Sequence, residues 1–236
     1  MEEPNLLFIS PPRDQGMRIL NLSDTHGKPS VIEASSKVAR KNQPDIITLT
    51  GDITHRGAVY QIKEMVTRLH VLSNIPVYFV SGNMDPVSMQ DSLFEEGTFY
   101  VKNKALEVGR FKIIGLSGSP PTPFNTVNER SEEELREALE RNKQDVRNAI
   151  LLTHAPPYGT ELDKTREGSH AGSQAVLDFI IEHQPLLVLC GHVHEAQGMT
   201  TIGRTTVVNP GAAIHGKASL IEIDQNDLIR AEFLTL

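Results

Sequence analysis

The chain has 236 residues, 39% of them hydrophobic, with 23 Lys and Arg against 30 Asp and Glu for a formal net charge of −7. That length suits one large α/β domain with a substantial core, and the acidic balance, without a Lys/Arg cluster, excludes a basic groove tracking long nucleic acids. No apolar stretch approaches the ~20 residues of a membrane span, the start "MEEPNLLFIS" is unlike a secretory leader, and the single Cys190 has no disulfide partner, so a soluble cytoplasmic protein with a buried structural thiol is expected.

Strand-like runs lie at 18–23, 45–50, 76–81, 111–117, 148–153, 185–190, 205–209, 219–223 and 229–236. The early ones are nearly continuous apolar stretches, as in strands covered on both faces. The last three alternate more and read as antiparallel strands near a sheet edge. Helix patterns fall between them. In 60–72, Ile62, Met65, Val66 and Leu69 recur at helical spacing. In 131–143, Ser131 and Glu134 make a capping-box signature before a Leu135, Ala138, Leu139 stripe. In 173–183, Val176, Ile180 and Ile181 share a face. No linker divides the chain, so 1–236 reads as a single domain. The proline-rich 117–126 reads as a surface loop beside the site. Residues 1–16 precede the "MRILNLSDTHG" start at Met17 and read as peripheral.

Five strand-like runs end in oxygen or nitrogen donors: Asp24 and His26, Asp52, Asn83, His154, and His192 with His194. The carboxyl ends of strands are where α/β sites assemble, and this sulfur-free set suits hard or borderline divalent metals. Seven donors exceed one ion's needs and fit two, with Asp52 between them. Two ions about 3.5–4 Å apart can clamp a phosphoryl group for in-line displacement. In extended backbone, residues i and i+2 point the same way, so the D-x-H and H-x-H spacings aim their pairs at one site. Taken singly, each residue is as readily a turn former or cap. Turn chemistry gives no reason for all of them to follow buried strands in succession.

The ordered motifs D-x-H, G-D, G-N, strand-end His and G-H-x-H resemble the calcineurin-like metallophosphoesterase superfamily over residues 18 to 215. "HAPPYGTELDK", "GSHAGS", "CGHVHEAQG" and "VVNPGAA" resemble its Icc-type phosphoesterases. The resemblance implies a four-layer α/β/β/α sandwich of two mixed β-sheets. It implies two divalent ions, Mn, Fe, Zn or Ni, one held by Asp24, His26, Asp52 and His194 and the other by Asp52, Asn83, His154 and His192. It implies a phosphoesterase, most simply a phosphodiesterase, working by in-line attack of a metal-bridging hydroxide on a small phosphorylated substrate such as a nucleotide. Asp52, Asn83 and His154 would be catalytic through the metals, and Asn83 and His170 would touch substrate.

Many family members carry histidine at the position of Met84, and a thioether cannot donate the proton that histidine supplies there. Activated leaving groups are therefore expected to be favoured. A rate insensitive to leaving-group pKa would mean that another residue, with His170 the candidate, supplies the proton. Asp85 is expected to be ionised by the cationic site. His55 reads as a loop residue near the site, His215 as a further substrate-contact candidate, and His70 and His183 as helix-end residues. Two rival readings are a weakly catalytic or non-catalytic protein-binding scaffold of the same fold and a DNA-repair nuclease. The complete donor set argues against the first; the acidic charge and the lack of a C-terminal capping domain argue against the second.

Overall fold

A computed structural model describes residues 16–90, 94–144 and 146–236; the "NLLFIS" segment lies outside the described residues. The first sheet contains β1 (Met17–Leu22), β2 (Ile46–Thr50), β3 (Val77–Val80) and β4 (Thr98–Tyr100), all parallel. Beyond β1 it continues antiparallel through β11 (Lys217–Ile223) to β12 (Ile229–Thr235). The second sheet has β6 (Phe111–Leu116), β7 (Ala149–Thr153), β8 (Leu187–Leu189) and β10 (Thr205–Asn209) in parallel. It is flanked antiparallel by β5 (Ala105–Val108) and β9 (Gly198–Ile202). Both sheets are mixed, as expected.

Side-chain alternation sorts the core into three layers. Ile19, Tyr78 and Ile221 of the first sheet meet Phe111, Ile150 and Leu189 of the second between the sheets. The opposite parity of the first sheet, Leu20, Leu49 and Phe79, faces Ile32 of α1 (Pro29–Asn42) and Ile62, Val66 and Leu69 of α2 (Val59–Ser73). Ile114, Leu151 and Val188 of the second sheet face Leu135 and Leu139 of α3 (Glu132–Glu140) and Val176, Phe179 and Ile180 of α4 (Gln174–His183). The result is helices, sheet, sheet, helices.

Several expectations change. The 205–209 run is an inner strand, with β9 covering its outer side; Thr205 is polar yet buried, its hydroxyl donating to the Pro185 carbonyl at 2.6 Å. β11 is also internal, between β1 and β12, leaving β12 as the edge. Ile181 points to solvent and Phe179 takes the inward position, because one residue rotates a helix by 100°. The Ser131–Glu134 capping box forms as expected.

Candidate metal centre

The parallel strands β1, β2, β3, β7 and β8 all deliver their carboxyl ends to one edge of the sandwich. There the seven predicted donors come together. His194 Nε2 lies 3.1 Å from Asp24 Oδ1 and 3.2 Å from His26 Nε2. His154 Nε2 lies 2.9 Å from Asn83 Oδ1, 3.2 Å from His192 Nδ1 and 3.4 Å from Asp52 Oδ1. Asp24, His26 and His194 form one cluster and Asp24, Asp52 and His154 another, each with its donor atoms within 4.8 Å of one another. Asp24 is thus common to both clusters.

The way the pairs converge differs from the expectation of extended backbone. Asp24, His26, Asp52 and His192 all have left-handed backbone, with φ of 57°, 47°, 48° and 69°. Such conformations are costly for non-glycine residues and persist where the surroundings over-determine them. Here the Asp24 and His26 amides donate to the Gly51 and Asp52 carbonyls, both at 3.0 Å, and the His192 amide donates to Asp24 Oδ2 at 3.2 Å. His192 and His194 also serve different clusters: the first turns Nδ1 to His154 and the second turns Nε2 to Asp24.

Two glycines are set by close approach. A Cβ on Gly82 would stand 2.1 Å from Asp52 Oδ1, and one on Gly191 would stand 1.8 Å from Ser23 Oγ. This is the physical content of the G-N and G-H motifs.

The donor set fits divalent ions. His154 Nδ1–H donates to the Thr50 carbonyl at 2.8 Å, which turns Nε2 toward Asn83 Oδ1, itself an acceptor. Acceptors facing one another at 2.9–3.4 Å are what an ion about 2.0–2.2 Å from each would bridge. Without an ion, burial works against a charged His154, but the Asp52 and Asp24 carboxylates win and push it up to about 9. Burial and the charge of His154 push His192 down to about 4. Burial lowers His26, while for His194 the bond to Asp24 outweighs burial and raises it. Asp24 is depressed despite burial, by the His194 bond and the His154 charge.

Met84 lines the cavity and its amide donates to Asp52 Oδ1 at 2.8 Å. Asp85 is turned away from the chemistry. It is fully buried and accepts from the Ile53, Thr54 and Gly82 amides and the Thr54 hydroxyl, tying the loop after β2 to that after β3. Without an ion, burial and the Asp52 charge outweigh these donors and raise it to about 6, which still leaves it mostly ionised near neutral pH.

Above the donors is a cavity of about 620 Å³, walled by Pro121, Pro123, Phe124 and His170 among others. The proline-rich loop is thus beside the site, as expected. It also buttresses Asn83, whose Nδ2 donates to Thr126 Oγ1 at 3.0 Å, and Thr126 donates on to Glu129 Oε1 at 2.5 Å. Burial opposes ionisation of Glu129, but bonds from Thr122 and Thr126 hold it down at about 2, from an ordinary 4.5. Its support of the loop is therefore complete above pH 4.5 and lost as pH falls through about 2. The Thr126 amide resonance should titrate with a midpoint near 2; a midpoint near 4.5 would contradict the buttress.

His55 stacks edge-on to His26 and His215 to His194, with centroids 5.7 and 5.6 Å apart. His70 caps the end of α2, its Nδ1 2.9 Å from the Ile75 carbonyl oxygen, and His183 ends α4 against Glu140. Nothing in the sequence marks Thr126, Glu129 or Asp163, the partner of His170. They sit in turn-rich loops where polar residues are ordinary, and no spacing marks them. Among the described residues, no helix is long and apolar enough to cross a membrane.

The calcineurin-like phosphoesterase family model matches residues 17–196. The chain belongs to that family. It is therefore a metal-dependent hydrolase of phosphoesters. It is 34% identical over 203 residues to an uncharacterised protein of Methanocaldococcus jannaschii, covering 82% of this chain and 88% of that one. It is 27% identical to a probable glycerophosphodiester phosphodiesterase of Arcobacter nitrofigilis, over 92% and 85% of the two chains. The crystal structure of TT1561 of Thermus thermophilus superposes with a TM-score of 0.65 at 21% identity, over 92% and 98% of the chains, and shares the fold.

Proposed function

We propose that this metallophosphoesterase is a dinuclear phosphodiesterase acting on small phosphate diesters. The observation that carries the reading is the convergence of seven N/O donors beneath a cavity of small-molecule size: five in two clusters that overlap at Asp24, with Asn83 and His192 against His154. Asp24, His26 and His194 would hold one ion, and Asn83, His154 and His192 the other. Asp52 would be shared, as the family resemblance implies; Asp24, the carboxylate common to both clusters, is the rival for that place. Two bound ions would supply an acidified water as nucleophile and neutralise charge on the phosphoryl oxygens.

The chain's own residues orient the substrate. Asn83 spends one amide hydrogen on Thr126 and keeps the other for a phosphoryl oxygen. Pro121, Pro123 and Phe124 give one ester arm an apolar wall, and His170 faces the same space. A diester with one ionic centre and one apolar or planar arm, a nucleotide included, suits that division.

Turnover of bis(p-nitrophenyl) phosphate by protein loaded in turn with Mn²⁺, Fe²⁺, Zn²⁺ and Ni²⁺, followed by a panel of cyclic nucleotides and glycerophosphodiesters, tests the reading. Protein that binds two ions yet hydrolyses none of these would be the scaffold instead.

A further inference from the structure

Beside the seven donors the cavity wall carries His170, which is backed by a buried carboxylate, Asp163. Asp163 is fully buried, and its Oδ1 accepts from His170 Nδ1–H at 2.7 Å and from the Thr160 amide at 2.9 Å. Its Oδ2 accepts from the Gly159 and Gly172 amides at 3.0 and 3.1 Å. Three backbone donors thus fix the carboxylate, and the carboxylate fixes the imidazole. The segment is braced further: the Ala171 amide donates to the Asp163 carbonyl at 2.9 Å, and the Thr165 amide to the Ser169 carbonyl at 2.8 Å. Tyr158 covers one side of the His170 ring, with centroids 5.5 Å apart.

With Nδ1 committed to Asp163, the free nitrogen is Nε2, on the opposite edge of the ring, and among the described residues it has no protein partner. His170 lines the same cavity as Met84, Asn83 and Asp52. That cavity needs a proton donor. Displacement at phosphorus leaves an alkoxide unless the departing oxygen is protonated, and the thioether of Met84 has no proton to give. His55 lies outside the cavity wall, and His215 belongs to a neighbouring recess with Arg166 and Lys217. A buried carboxylate on Nδ1 with Nε2 left for substrate is the arrangement that holds an imidazole in one tautomer and one orientation.

We propose that His170 is the general acid for the leaving group and Asp163 its positioning residue, so that the enzyme accepts esters of ordinary alcohols. The proposal rests on the phosphodiesterase reading. As the bond from phosphorus to the leaving oxygen breaks, its electron pair stays on that oxygen, which takes the proton from His170 Nε2. The attacking oxygen forms the new bond on the opposite side of phosphorus. Neutral His170 then regains a proton from solvent, while Asp163 accepts the Nδ1 hydrogen bond throughout.

The test is a Brønsted series of aryl and alkyl diesters on wild type, His170→Gln and Asp163→Asn, with metal content measured on each. Histidine ¹⁵N NMR of the Zn²⁺-loaded forms reads the imidazole tautomer. Wild type should show a weak dependence on leaving-group pKa. His170→Gln should lose about 10²–10⁴-fold more on alkyl esters than on nitrophenyl esters, the usual worth of general acid help, while both ions remain bound. Asp163→Asn should lose alkyl-ester activity in the same selective way and release the Nδ1–H tautomer. His170→Gln disturbs no backbone-binding group and carries the test if Asp163→Asn does not fold. A loss equal across the series, or none, overturns the dyad and leaves the phosphodiesterase reading standing. Fully loaded wild type that hydrolyses neither class overturns both.

Discussion

Replacing Asp52 with asparagine is expected to abolish measurable turnover, a loss of at least about 10³-fold, or about 4 kcal/mol of barrier at 1.36 kcal/mol per decade. The reason is charge as well as position. Asp24 and Asp52 are the only carboxylates among the seven donors, so the substitution removes half the anionic charge available to two divalent ions. It also alters the group that the Met84 amide and His154 hold at 2.8 and 3.4 Å. Metal analysis of Asp52→Asn should find fewer than two ions per chain. An Asp52→Asn protein that keeps both ions while Asp24→Asn loses both would move the shared role to Asp24. His70→Ala is the control: its imidazole serves the end of α2 and lines no part of the cavity, so turnover should stay within about twofold, the lost hydrogen bond costing about 1 kcal/mol of stability. Wild-type turnover by His194→Ala would contradict the two-ion site.

Stripping the metal should lower the melting temperature by about 5–10 °C relative to protein at free metal 100-fold above Kd. Mass action gives about 2.7 kcal/mol at that ratio, and each kcal/mol shifts a chain of this size by about 2–4 °C. The pH dependence follows from His154. Its pKa in the metal-free fold is raised from 6.5 to about 9, so the imidazolium stabilises that fold fully below pH 6.5 and loses this contribution as pH rises through about 9. Metal binding must displace the same proton. Affinity should therefore climb by about tenfold per pH unit up to about pH 9, a window well above that of an ordinary histidine. Isothermal titration from pH 6 to 9.5 measures this; affinity that levels off near pH 6.5 would place the proton elsewhere.

Most of the site is legible because its determinants are local. An apolar run followed by G-D, G-N or G-H-x-H states both that a strand is buried and that a donor stands at its end. What spacing does not carry is conformation. The left-handed backbone at Asp24, His26, Asp52 and His192 is imposed by hydrogen bonds between loops distant in sequence, so convergence follows from turns and not from extended alternation. Asp85 shows the same limit: nothing in "GNMD" separates a ligand from a brace, and only the four donors around its carboxylate decide it. Asp163 is hidden for a related reason, since its partners are backbone amides.

The fold's misreadings have equally specific causes. Helix α1 escapes periodicity because its inward face includes Ser35 and Ser36 beside Val31, Ile32 and Ala39. Short strands such as β4 and β9 exist because a neighbouring strand offers hydrogen bonds, with weak patterns of their own. Thr205 and Thr206 make β10 look like an edge strand although it lies between β8 and β9.

The central claim is that two ions, held by these seven side chains, make the catalyst. It is tested most directly by titrating metal-free protein with Mn²⁺ while following bound metal and bis(p-nitrophenyl) phosphate turnover on the same sample. Activity should reach its plateau at two ions per chain and vanish again when chelator removes them. A plateau at one ion per chain, or turnover that survives removal of both, would contradict it.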